Sequence, residues 1–235
     1  MCPKTTQEFC GDKKVKRKTC SKNYGNRHVI GYFEGWASNR PCNVFRPEQI
    51  PLNLYTNINF AFATIDPKTF KIMPGAESDI GLYKRLMLLK KRDPALKVFI
   101  AIGGWTFNDP GPTATTFSDI AASVPRQRVF IESLISFMAT YGFDGVDLDW
   151  EYPVADDRSG REVDFANFPK FMSRLSDSLS GLKKGISITI PASYWYLQHF
   201  DLKALAKTVD FFNIMYVFAF AREILSEERI YKRTS

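Results

Sequence analysis

The chain has 235 residues, 45% hydrophobic and 14% aromatic, which suits one sizeable globular domain with a real core. Its net charge of +7 suggests an anionic partner, yet residues 1–27 alone hold eight basic and two acidic residues, so the body is nearly neutral. The excess charge therefore reads as a solvated tail rather than a nucleic-acid surface, and no apolar run approaches the roughly 20 residues of a membrane span.

The chain opens Met1-Cys2-Pro3 and continues in polar residues, without the apolar stretch of a secretory leader. Cys2, Cys10 and Cys20 crowd this segment, and Cys42 follows. Clustered cysteines without a neighbouring histidine argue for disulfides over zinc, hence for an oxidising, extracellular setting. The two observations agree if the true start lies upstream.

From His28 the texture changes. Short apolar runs predict six strands: 28–36, 57–64, 97–104, 143–151, 185–190 and 209–215. Between several of them the apolar spacing turns helical. Phe130, Leu134, Phe137 and Met138 follow i, i+4, i+7, i+8, with Gly142 placed to end the helix. Phe168, Phe171, Met172, Leu175 and Leu179 repeat the pattern up to Gly181, and 82–91 and 202–207 read as shorter helices. Residues 110–116 (Pro-Gly-Pro-Thr-Ala-Thr-Thr) read as loop. Strands alternating with helices predict an α/β fold with a parallel sheet, apolar because both faces are covered. Six units fit an open doubly wound sheet or most of a β/α barrel. No glycine-rich phosphate loop follows the first strand, which argues against a dinucleotide cofactor, and no cofactor is expected.

The fourth strand reads Asp144-Gly-Val-Asp147-Leu-Asp149-Trp-Glu151-Tyr-Pro153. Alternation places Asp147, Asp149 and Glu151 on one side, their Cα atoms about 6.6–7 Å apart, and Val146, Leu148 and Trp150 on the other. Carboxylates on a central strand are costly to bury unless paired, and the strand holds no Lys or Arg. A Mg²⁺ or Ca²⁺ site is disfavoured, because the surroundings are aromatic and poor in further oxygen ligands. The alternative is proton sharing: neighbouring carboxylates do not all ionise cheaply, so one keeps its proton and becomes a general acid. Glu151, last on the strand and nearest the C-terminal mouth, is the candidate.

Asp144-x-x-Asp147-x-Asp149-x-Glu151 resembles the signature of glycoside hydrolase family 18, the chitinases and their relatives. Ala101-Ile-Gly-Gly104-Trp105 resembles the family's third-strand motif, with Ala101 where Ser is usual. Gly31-Tyr32-Phe33-Glu34-Gly35-Trp36, Asn59-Phe60-Ala61-Phe62-Ala63 and Pro191-Ala192-Ser193-Tyr194-Trp195 are similar to its fungal branch. Residues 5–11 resemble the end of a hevein-type chitin-binding module. The resemblance implies a (β/α)8, or TIM, barrel that is incomplete, with about six of eight strands, over residues 28–218. Around it stand a module remnant at 1–27 and an unrelated helix at 219–235.

The resemblance also implies chitin or a chito-oligosaccharide as substrate, a secreted monomer, and hydrolysis of β-1,4-N-acetylglucosamine linkages with retention. Glu151 donates the proton, the substrate's own acetamido carbonyl attacks, Asp149 orients the acetamido group, and Asp147 shares the proton of Asp149; this family is an exception to the two-carboxylate rule. Tyr32, Phe62, Gly104, Trp105, Tyr152, Ala192, Met215 and Tyr216 are implied around the sugar, with Asp144 structural and no metal. Trp195 joins the aromatics near strand ends. The sixth strand departs: Met215-Tyr216-Val217-Phe218 stands where the family has Met-x-Tyr-Asp, so Val217 replaces the Tyr that holds the acetamido carbonyl. Tyr216 takes that place only with a one-residue shift, which turns a side chain to the other face. That implies poor turnover by this chain. A non-catalytic chitin-binding protein or inactive fragment, and an endo-β-N-acetylglucosaminidase, are the alternative readings.

Overall fold

The computed structural model describes residues 28–216. Cys2, Cys10, Cys20, the module remnant, Val217, Phe218 and the C-terminal helix expected at 219–235 lie outside the described residues. Seven strands are described: β1 (Ile30–Glu34), β2 (Asn57–Ile65), β3 (Ile72–Pro74), β4 (Lys97–Gly103), β5 (Gly145–Asp149), β6 (Gly185–Pro191) and β7 (Phe211–Met215). Six of them run parallel in the order β1-β2-β4-β5-β6-β7, and β3 pairs antiparallel with β2. The helices are α1 (Asp79–Arg92), α2 (Thr116–Ala121), α3 (Val124–Tyr141), α4 (Asp164–Ser180), α5 (Tyr194–Leu197) and α6 (Leu202–Leu205). The incomplete β/α barrel expected from the sequence is what these residues form.

The six strand runs all hold, each within a few residues. Three elements were not anticipated: β3, α2 and the single-turn α5. β3 is only three residues long, too short for a period to show, and α2 begins at Thr116 inside the expected loop. α3 ends at Gly142 with φ 83, the left-handed conformation that closes a helix. Gly181 ends α4 without a left-handed turn.

Alternation sorts each strand into an outer and an inner face. Ile58, Phe60, Val98, Ile100, Ile102, Val146, Leu148, Ile186 and Ile188 point out and are buried under the helices. Trp150 continues this face past the end of β5, stacked on Phe117 of α2 at 5.5 Å and edge-on to Phe168 of α4 at 5.1 Å. The inner face changes character along the axis. At its N-terminal end, Phe99 occupies the space that side chains at 145 and 185 would need: a Cβ at Gly145 or Gly185 meets the Phe99 ring at 2.6 or 2.4 Å. Phe99 stacks on Phe211 at 6.1 Å, and Phe211 on His28 at 4.7 Å. The sheet is thus curled until His28, two residues before β1, touches β7 across the interior.

Register at the sheet's base is held by a repeated device. Asp144 sits just before β5 and accepts the Val98 N–H of β4 at 2.8 Å. Asp210, just before β7, accepts the Ile186 N–H of β6 at 2.8 Å. Lys90 of α1 pairs with Asp144 at 2.7 Å, which ties that helix to the same point. Asp144 thus joins β4, β5 and α1 at the base of the sheet. Asp144→Ala leaves the Val98 N–H and Lys90 without this partner and is expected to lower unfolding free energy by about 2 kcal/mol in urea titration. Asp144→Asn retains an acceptor and should lose clearly less; equal losses would contradict this account.

Candidate active site

The C-terminal ends of the parallel strands carry the site. Register fixes it: Ala101 lies beside Asp147, Gly103 beside Asp149, and Asp147 beside Ser187. Gly103 has φ 109, and a Cβ there would stand 2.2 Å from the Asp149 carbonyl oxygen, so a side chain is excluded on both counts. The Gly104 N–H donates to that same oxygen at 2.9 Å. The Gly-Gly pair thus brings the β4 loop, with Trp105, close against the carboxylate row. Gly104 also packs on the Phe62 ring, where a Cβ would approach to 2.9 Å.

Asp147, Asp149 and Glu151 are all buried, 0, 3 and 3% exposed. Their environments differ. Asp147 collects four donors from three other strands. Tyr32 of β1 donates to Oδ2 at 2.6 Å and Thr189 of β6 at 3.1 Å; Ser187 of β6 donates to Oδ1 at 2.6 Å and Asn213 of β7 at 2.9 Å. Burial pushes the Asp147 carboxyl up, and hydrogen bonds from Ser187, Tyr32, Asn213 and Thr189 pull it back. Burial and the adjacent Asp147 hold the Tyr32 phenol well above its ordinary value, so it stays a donor.

Asp149 has no such support, and its Oδ1 has no hydrogen-bond partner. Burial, the Glu151 charge and the Asp147 charge raise it well above the usual carboxylate range. A carboxylate offers about four acceptor positions. With four donors converging on Asp147, a proton passed between Asp147 and Asp149 requires one of those donors to turn away. Glu151 is pushed up to about 7, first by burial and also by Asp109, against the Tyr152 hydroxyl and the Arg158 guanidinium, which lower it. Its Oε2 is buried and unpartnered. The row therefore combines a donor-saturated carboxylate with two that favour a proton.

The other sequence-derived residues divide. Tyr32 reaches the row directly. Phe62 stacks on the half-exposed Trp36 at 6.2 Å, beside a cavity of about 430 Å³ lined in part by Gly35, Trp36, Phe62, Asp79, Gly103 and Thr106. Trp105 is partly buried and lies edge-on to Tyr152 at 6.4 Å. Tyr152 has no exposed surface; it stacks on Tyr196 at 4.3 Å, and its hydroxyl is buried without a hydrogen-bond partner. Ala192 donates its N–H to the Met215 carbonyl at 3.1 Å, joining the ends of β6 and β7. Asn213 faces inward, so alternation turns Tyr216 outward; it is 75% exposed and is not brought to the carboxylates. Trp195, on α5, is 63% exposed.

Sequence reasoning missed Ser187, Thr189, Asn213, Trp36, Asn108 and Arg158. For the first three a signal existed: each is a polar residue on an inward parity of an otherwise apolar strand. Asn108 accepts the Glu151 N–H at 3.3 Å and donates to the Ala114 carbonyl at 3.0 Å. Among the described residues no cluster of three or more metal-ligating side chains occurs, and no helix is long and apolar enough to cross a membrane. Cys42 is exposed and has no disulfide partner among the described residues.

A curled parallel sheet with β/α crossovers, carrying buried carboxylates at the C-terminal end of a central strand, defines the chain as part of a β/α barrel of the kind that houses enzymes at that end. The chain belongs to glycosyl hydrolases family 18, whose sequence pattern matches residues 28–223. It is 31% identical over 196 residues to chitotriosidase-1 of Mus musculus, covering 80% of this chain and 40% of that protein. Among solved structures it is similar to an immunomodulatory active chitinase from Trichuris suis, 32% identical with TM-score 0.71, over 80% of this chain and 51% of that one. It is also similar to a mutant of Group II chitinase catalytic domain 2 from Ostrinia furnacalis in complex with penta-N-acetylchitooctaose. There the identity is 26% and the TM-score 0.73, over 80% of this chain and 50% of that one. The chain thus spans about half the length of the structures it matches.

The raised proton affinity of Glu151 has a thermodynamic consequence. The folded form binds this proton more tightly than the unfolded form. The resulting stability is full below about pH 4.5 and is lost as pH rises through about 7. Glu151→Gln stays neutral and escapes that loss. The variant is expected to exceed the parent at pH 8 by about 1–3 kcal/mol in denaturant unfolding, with the difference vanishing near pH 4. A difference of the same size at both pH values would refute the assignment.

Proposed function

We propose that this chain carries the acid–base machinery of a chitinase, for hydrolysis of β-1,4-linked N-acetylglucosamine with retention. The observation that carries the reading is the buried row Asp147, Asp149 and Glu151 at the sheet's C-terminal mouth, with Glu151 pushed up to about 7. An acid with that proton affinity is largely protonated in mildly acidic solution and about half so near neutrality, and it becomes a base once it has donated. Glu151 protonates the glycosidic oxygen and later activates water. Asp149, itself favouring a proton, holds the acetamido group while that group's carbonyl attacks the anomeric carbon. Asp147, locked by four donors, keeps Asp149 in place. Rings at Phe62, Trp105 and Trp36 offer faces for pyranose stacking. Likeness to the fungal branch of the family rests on the strand motifs alone, and an extracellular setting on the cysteine pattern.

A second reading, chitin-oligosaccharide binding with little turnover, is favoured by one observation. The inward parity of β7 runs through Asn213 and Met215, which leaves Tyr216 facing out and supports the sequence count that puts Val217 at the carbonyl-holding position. Orientation errors of about 1 Å cost roughly 10²-fold in rate.

The test uses the full chain on polymeric chitin, a fluorogenic chitobiose glycoside and a high-mannose glycoprotein. Release from the first two and not the third is expected, with kcat/KM falling as pH rises above about 7 because the acid is then lost. Glu151→Gln should reduce turnover at least about 10²-fold while oligosaccharide binding survives. Binding without release supports the second reading, and cleavage of the glycoprotein alone the endoglycosidase. Near-full turnover by the variant removes Glu151 as the acid.

A further inference from the structure

Arg158 ends the short turn Asp156–Arg158 that follows β5, and only 6% of it is exposed. Each edge of its guanidinium is used. Nε donates to the Glu151 carbonyl oxygen at 3.1 Å, Nη1 to Asp109 Oδ1 at 2.8 Å, and Nη2 to the Trp105 carbonyl oxygen. The plane lies over the Trp105 ring, 3.7 Å from its centroid. A buried guanidinium needs its hydrogen bonds and a counter-charge, and Asp109, 45% exposed, is the paired carboxylate. A clamp between two loops accounts for the hydrogen bonds. It does not account for the choice of anchors: the backbone of the acid itself, and both the carbonyl and the ring of the tryptophan beside it.

The geometry points to Arg158 as a positioning residue that fixes the Trp105 ring relative to Glu151 and, with Asp109, forms the counter-charge pair against which the acid works. This rests on Glu151 being the acid and Trp105 lining the sugar site. A planar fork with several donors suits the task, whereas a lysine is a point charge that neither stacks nor bridges. The charged and titratable groups around Glu151 are Asp149 on its own strand, Tyr152 next to it, Arg158 after β5 and Asp109 in the loop after β4. Tyr196 lies behind Tyr152 and donates to Asp157 at 2.7 Å. Of these, the Arg158 charge lowers the proton affinity of Glu151 and the Asp109 charge raises it. The two halves of one ion pair therefore pull the acid in opposite directions.

Opposite signs make the test. In the full chain with ¹³C-labelled glutamate side chains, the Glu151 resonance is assigned by its loss in Glu151→Gln and titrated by NMR. Arg158→Met is expected to move the midpoint up and Asp109→Asn to move it down, each by about half a pH unit or more. Arg158→Lys keeps the charge and loses the fork. Its midpoint should stay within about 0.3 unit of the parent, while chito-oligosaccharide affinity, read from tryptophan fluorescence, falls about tenfold. Midpoints that shift in the same direction, or not at all, overturn the charge pair, and parental affinity in Arg158→Lys overturns the fixing of Trp105. Should Arg158→Met fail to fold, Asp109→Asn, at a half-exposed site, and Arg158→Lys still decide. None of these readouts needs turnover, so a parent that fails to hydrolyse chitin counts against the hydrolase reading and leaves this one to stand or fall on the midpoints.

Discussion

One buried carboxylate organises this structure. Asp147 lies on β5, in the middle of the sheet, and is fully enclosed without a cation against it. An ionised carboxyl in that position costs several kcal/mol unless its oxygens are satisfied. Here β1, β6 and β7 each send polar groups inward to do so. Tyr32 is 115 residues away in sequence, on the far edge strand. For its hydroxyl to reach Asp147 the sheet must curl through a large part of a barrel's circumference, and the shared acceptor Asp147 Oδ2 holds Tyr32 of β1 near Thr189 of β6 in that shape. Hydrogen bonds to charged groups contribute about 1.5–3 kcal/mol each, so the curl is favoured by the same contacts that make the carboxyl tolerable.

Satisfying Asp147 leaves its neighbours unsatisfied. Its donors come from β1, β6 and β7, and none of them serves Asp149 or Glu151, which step outward along the axis toward the mouth. Asp149 is left beside two potential anions with an unpartnered oxygen, and Glu151 beside an arginine whose charge is largely claimed by Asp109. A gradient of support along one strand thus separates three carboxylic acids into different environments, the condition under which one carboxyl serves as an acid while another orients.

How far the sequence foretold this depends on which residues carry the signal. The strand runs were legible because their outer faces are continuously apolar, and the carboxylate row because period-2 alternation put three acids on one side of a strand without a basic residue. β3 was not legible, since three residues carry no period. Nor was α2, where Thr116 to Ala121 follows a Pro- and Gly-rich stretch that reads as loop. The donors to Asp147 were half-legible: Ser187, Thr189 and Asn213 stand out as polar residues at inward positions, but only the curl shows that they converge. Arg158 was beyond reach. It lies seven residues after Glu151 in an irregular turn, and its partners Trp105 and Asp109 sit on another loop about fifty residues back. Nothing local couples those positions, because they meet only through the β4–β5 register.

The two ends of the interior solve opposite problems with the same pleat. At the N-terminal end, glycines at 145 and 185 clear space for Phe99, which with Phe211 and His28 fills the interior by ring stacking; Asn59, level with Phe99 on β2, is buried there with neither side-chain polar atom partnered. Two residues further along each strand, the same inward parity delivers Asp147 and Ser187, and four residues along it delivers Asp149 and Thr189. A one-residue slip of β5 against β4 would send Val146 and Leu148 into the polar layer and turn all three acids under the helices. Asp144 guards against that slip by holding the Val98 N–H and Lys90 from the position just ahead of the strand. The outermost acids of the row are thus kept in place partly by a fourth acid at the opposite end of the strand, which never meets the site.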